Sequence, residues 1–175
     1  MFRFSVLDLA AATLVAIAFL IPAREFLIEP AYEDPAASDL RIVAQAQQQL
    51  EAEPGNGVAA SRLADALRRM DQHQAGLRAA GDALNHGGGW RAALAVSSLH
   101  ADRVEVEDAF VYAKKALEEC TGTPASCPSY ERLRMSIYHD GLQSGLDSGI
   151  DPRREPDRFR DQVMKAFPTV RFRAQ

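Results

Sequence analysis

Hydrophobic positions along this chain change pattern at residue 24. Residues 4–21, FSVLDLAAATLVAIAFLI, are an unbroken apolar run with Asp8 as the sole charge. Extended to Ala23, the run reaches the roughly 20 residues that a helix needs to cross the hydrocarbon of a bilayer, so a transmembrane helix is predicted over 1–23. From there to residue 37 the chain is acidic and punctuated by Pro30 and Pro35, which break a continuous helix and predict a short tether. Beyond it, apolar residues recur at three and four residue spacing, the signature of amphipathic helices. Ser38 is placed to cap a helix carrying Leu40, Val43, Gln47 and Leu50, which ends before Pro54-Gly55-Asn56-Gly57.

Four more helices follow in two pairs. Residues 58–70 carry Ala60, Leu63, Ala64 and Leu67, and residues 74–84 carry Leu77, Ala80, Ala83 and Leu84, with Asp71-Gln72-His73 between them. Gly87-Gly88-Gly89 stops the second helix, because each glycine is about 1 kcal/mol less favourable than alanine in a helix. The next pair is 90–100, with Ala93, Leu94 and Val96, and 106–119, with Ala109, Phe110, Ala113, Ala116 and Leu117. After Pro128, a stripe of Tyr130, Leu133, Ile137, Gly141, Leu142, Gly145 and Leu146 predicts a further helix, with the two glycines spaced for close approach of a neighbour. Gly149 and Asp151-Pro152 end it. A last short helix over 158–167 presents Phe159, Val163 and Phe167.

These helices repeat. Ala60-x2-Leu63-Ala64-x2-Leu67 followed by Gly76-x3-Ala80-x2-Ala83-Leu84 resembles the tetratricopeptide pattern, with alanine in place of its large first residue. Ala93-x2-Val96-Ser97-x2-His100 with Ala109-x3-Ala113-x2-Ala116-Leu117 is a weaker copy, departing at Ser97 and His100. Ile42-x3-Ala46-x2-Gln49-Leu50-x3-Pro54 is similar to the second half of a preceding repeat. Leu50, Leu84 and Leu117 stand 34 and 33 residues apart, against a family period of 34. The fold class expected is therefore all-α: a single transmembrane helix, a tether over 24–37, an antiparallel helical-hairpin array over 38–119, and a disulfide-linked loop, capping helices and basic tail over 120–175. The resemblance implies a groove lined by the first helix of each hairpin, which nominates Arg62, Asp65, Arg69, Arg91, Leu94 and Ser98 for partner binding.

Charge narrows the partners. The net charge is −4, yet residues 153–175 carry seven Lys or Arg against three acids. A nucleic-acid partner is not expected, since that affinity is dominated by phosphate neutralisation. Cys120 and Cys127, the two cysteines, flank the six-residue turn Thr-Gly-Thr-Pro-Ala-Ser. A pair placed across a loop suits a disulfide in an oxidising compartment, which puts the domain outside the cytoplasm, in the periplasm of a bacterial cell. No small-x-small cleavage site follows the apolar run, so it reads as a retained anchor rather than a cleaved signal.

Asp8 is the second candidate contact, because an acid within a membrane span is costly and pairs with a partner's cation or reaches the headgroups. The order Phe4-Ser5-Val6-Leu7-Asp8, an apolar run and Pro22 also resembles the start of a type IV pilin, although Arg3 stands at the peptidase position and no strand-rich domain follows. Chemistry is not signalled. His73, His86, His100 and His139 are scattered, and no phosphate loop, nucleophile elbow or metal-ligand spacing is present. The expectation is a non-catalytic protein without metal or cofactor, a membrane-anchored accessory or scaffold subunit that docks protein or peptide clients. Its layout resembles that of the single-span tetratricopeptide proteins beside the bacterial Sec translocon. The alternatives are a structural subunit held mainly through its span and Asp8, and a pilin-like assembly component.

Overall fold

The structure, a computed structural model, describes residues 35–122 and 127–165. The predicted span, the tether up to Asp34 and Asp8 lie outside them. No helix among the described residues is long and apolar enough to cross a membrane. Those residues form seven α-helices and no strand: α1 (Pro35–Ala52), α2 (Gly57–Arg69), α3 (His73–Asn85), α4 (Gly89–Asp102), α5 (Val106–Gly122), α6 (Ser129–Asp147) and α7 (Pro156–Met164). The expected all-α architecture is found.

Helix α1 starts three residues before the predicted Ser38 cap. Pro35 occupies its first turn, where a missing N–H costs nothing, and Ser38 is already inside the helix. Helix α2 begins as its sequence dictates: Asn56 Oδ1 accepts the Ala59 N–H at 3.0 Å, satisfying one of the free donors of a helix start.

The helix ends share one device. Asp71, Gly87 and Val104, with φ of 60°, 86° and 61°, each follow a helix C-cap in the left-handed conformation. At each, two backbone bonds close the end: Asp71 N–H to Arg68 O and Gln72 N–H to Leu67 O, Gly87 to Leu84 and Gly88 to Ala83, Val104 to Ala101 and Glu105 to His100. This is the Schellman arrangement. Each connection between α2, α3, α4 and α5 is therefore three residues long, which folds neighbouring helices back on one another.

Packing follows chain order, each helix against the next from α1 to α5, then α5 on α6 and α6 on α7, with α2 also packed on α4. The α2–α4 contact is close: a Cβ at Gly57 would meet the Gly88 carbonyl oxygen at 1.9 Å and Arg91 Cβ at 3.4 Å. The core is a series of seams. Ala46, Leu63 and Leu67 fill that between α1 and α2. Ala60, Ala83 and Ala92 meet where α2, α3 and α4 converge, and Ala64, Ala80, Ala95, Val96 and Leu99 extend that junction. Trp90, Ala93, Ala116, Cys120, Cys127 and Met135 join α4, α5 and α6. Alanine at these lines lets helix axes approach closely, while the large residues fill the space beside them.

Cys120 and Cys127 are bonded, with Cα atoms 5.2 Å apart, and both are buried in the Trp90 seam. The predicted α6 stripe is buried in its C-terminal half, at Gly141, Leu142 and Gly145. It is not buried at its start: Tyr130 and Leu133 are 67% and 63% exposed, because α7 is too short to cover them. Met135, outside the stripe, is buried instead.

A candidate binding groove on the first helices of the hairpins

On α2 the spacing of Arg62, Asp65 and Arg69 places them on the face opposite buried Ala59, Ala60, Leu63, Ala64, Ala66 and Leu67. All three line one open cleft of about 290 Å³ with Ile42, Gln45, Ala46 and Gln49 of α1. Its size and its mixed charged and amide lining fit a peptide side chain or extended segment better than a cofactor, whose sites enclose most of the ligand in apolar walls.

The three predicted residues differ in role. Arg62 and Asp65 are exposed, Asp65 lying 3.9 Å from Arg68 on the same helix. Arg69 is a strut. Its Nη2 and Nε donate to Asp39 Oδ1 at 2.7 and 2.9 Å, and the Asp39 side chain on α1 is only 12% exposed. The hydrogen bond to Asp39 raises the guanidinium pKa above its ordinary value. Asp39 is tied to the cleft through Arg69 and is not itself part of its lining. Its sequence signal was faint, since an acid beside a predicted cap reads as solvated.

On α4, Leu94 and Ser98 line a second, smaller cleft of about 200 Å³ with Arg134, Met135 and Tyr138 of α6. Ser98 Oγ donates back to Leu94 O at 3.0 Å. Arg91 is in neither cleft lining; its guanidinium carbon lies 4.2 Å from the Trp90 ring centroid, a cation–π contact. The six nominated positions thus divide into the α1–α2 cleft, the α4–α6 cleft and a stacked arginine. The stripe read from the sequence did not name Met135 and Tyr138, although they stand seven and four residues before Leu142 on the same side of that helix.

Beneath the second cleft sits a buried polar knot. Ser97, fully buried, donates to Ala109 O at 2.6 Å, tying α4 to α5. With its one proton so placed, its oxygen accepts from the Tyr138 hydroxyl, 3.3 Å away on α6. Burial raises the Tyr138 pKa above its ordinary value. At the α4–α5 turn, His100 Nδ1 and Glu105 Oε2 are 2.7 Å apart, His100 stacks on Tyr112 with centroids 5.6 Å apart, and Arg103 Nη2 reaches Glu105 Oε1 at 2.9 Å. The His100 bond holds Glu105 below its ordinary pKa. Asp108 brings a third potential ligand within 4.8 Å of the other two, yet both Glu105 oxygens already have partners. The arrangement reads as a latch across the turn.

Comparison with protein-family models, with curated proteins and with solved structures finds no match.

Proposed function

We propose that this chain is a non-catalytic, membrane-anchored interaction module, an accessory or scaffold subunit of a bacterial envelope complex, whose helical domain docks a protein or peptide outside the cytoplasm. The observation that carries the reading is the open α1–α2 cleft, where exposed Arg62 and Asp65 stand beside Gln45 and Gln49 and a half-exposed Arg69 is tied across to the buried Asp39 of α1. Opposite charges and amides on a rigid helical face recognise an extended polar segment. A tetratricopeptide-like stack is supported by the hairpins, by the α2–α4 contact and by left-handed helix ends at Asp71 and Val104, 33 residues apart. Anchoring rests on the apolar run at residues 4–23, and the extracytoplasmic placement on the Cys120–Cys127 pair.

A second reading has its own observation, the acid within the apolar run. There Asp8 and the span make the principal contact and the helical domain is a cover. Purifying the full chain from its native membranes in mild detergent, with quantitation of what accompanies it, tests both. The docking reading expects protein partners that remain when Asp8 is replaced by leucine. Their loss on Asp8→Leu with the helical domain intact would instead establish the second reading.

A further inference from the structure

The start of α6 is held by little besides one covalent bond. Pro128 precedes it with no side-chain cap, and from Pro128 through Arg134 no residue is buried. Its first two turns therefore have neither the capping bond nor the packed apolar face that keeps a helix end in place. The fixed points are Cys127, buried just before the helix, and Met135, buried at the end of its second turn. Both belong to the Trp90 seam, together with Cys120 of α5. The far half of α6 is secured separately, where Leu142 packs with Val106, Ala109, Ala113 and Phe159.

We propose that the Cys120–Cys127 bond controls the α4–α6 cleft, which is formed while the bond is closed and lost, reversibly, when a dithiol reductant opens it. Leu94 and Met135 line the cleft and also pack in the seam that holds the two sulfurs, while Arg134, Met135 and Tyr138 supply its α6 wall. Both sulfurs are buried, so exchange follows opening of the α6 start. A thiolate of the dithiol attacks one Sγ and breaks the Sγ–Sγ bond, and the other cysteine leaves as a thiolate and takes a proton. The dithiol's second sulfur then closes its own disulfide and releases the first cysteine as a thiol, two electrons having passed to the protein. Met135 is then the one buried residue in the first two turns of α6, and Arg134 and Met135 draw away from Leu94 and Ser98. An oxidising compartment keeps the closed form. The α1–α2 cleft stands on a separate seam of Ala46, Leu63 and Leu67, so this control goes beyond the docking function proposed there and leaves it in place.

Hydrogen exchange of the full chain in mild detergent, before and after treatment with dithiothreitol, tests it. Amides of residues 133–138 should exchange at least about tenfold faster once the bond is reduced, those of α2 and α3 should be unchanged, and reoxidation should restore protection. Cys120→Ala combined with Cys127→Ala should show the same fast exchange without reductant. Unchanged exchange over residues 133–138 after reduction, with both thiols titrated, would overturn the proposal. So would equal acceleration in α2 and α3, since the bond would then hold the whole stack rather than one cleft, or a bond that dithiothreitol opens only when every helix unfolds.

Discussion

At the scale of single residues, Val104 is the position where local preference and fold disagree most. It sits at φ 61°, in a conformation that costs an L-residue roughly 1–2 kcal/mol and a β-branched one more than most. The equivalent helix end at Gly87 has a glycine. Val104 is exposed enough that its side chain contributes little burial, so Val104→Gly should raise stability by about 0.5–1 kcal/mol after the greater freedom of glycine in the unfolded chain is subtracted. Chemical denaturation of the two proteins measures it, and a loss of stability would show that Val104 makes contacts that outweigh the backbone strain. The same residue shows why the α4–α5 connection was legible only in part. Gly87-Gly88-Gly89 announces a stop, whereas Asp71 and Val104 close their helices with the same left-handed backbone geometry and no glycine to announce it. Ser97 is similar: as a departure from the repeat pattern it looked like erosion, and in the fold its hydroxyl is what binds α4 to α5.

Helices were legible where amphipathic spacing is strong and less so where a neighbour decides what is buried. The predicted positions of α2 are buried throughout, as are Ala80 and Ala83 on α3 and Ala109, Ala113 and Ala116 on α5. Helix α4, by contrast, buries Trp90, Ala92, Ala95, Ser97 and Leu99 beyond its predicted Ala93 and Val96 and leaves Leu94 half-buried. On α6 the stripe predicted the buried glycines but overstated the burial of Tyr130 and Leu133, since periodicity fixes a face and says nothing of what lies on it. Gly145 is the clearest element-scale test. With Phe159 packed where its Cβ would be, Gly145→Leu should displace α7 and lower stability by about 1–3 kcal/mol, the range for overpacking a close contact. Hydrogen exchange in α7 should accelerate well beyond that in α2. Unchanged protection in α7 would mean that the two helices are held elsewhere, through Gln162 and Ser144 or the turn before α7.

At the scale of the helical stack formed by the described residues, the residues that the repeat-like pattern nominates are drawn apart. Arg62 and Asp65 remain open in the α1–α2 cleft, Arg69 is held by Asp39, and Leu94 and Ser98 join α6. The half of that cleft contributed by α1 was not legible, because Gln45 and Gln49 carry no motif and gain meaning only beside α2. The same geometry makes a charge test informative, since Arg62 and Asp65 are exposed and their replacement leaves the core untouched. The decisive measurement is partner recovery from native membranes with Arg62→Glu and Asp65→Lys, alone and together, each checked for unchanged helix content. The docking account predicts that each single reversal lowers recovery at least about tenfold, the scale of one lost charge-assisted contact, while anchoring in the membrane persists. Undiminished recovery by the double variant would contradict it and place the partner contact outside the α1–α2 cleft.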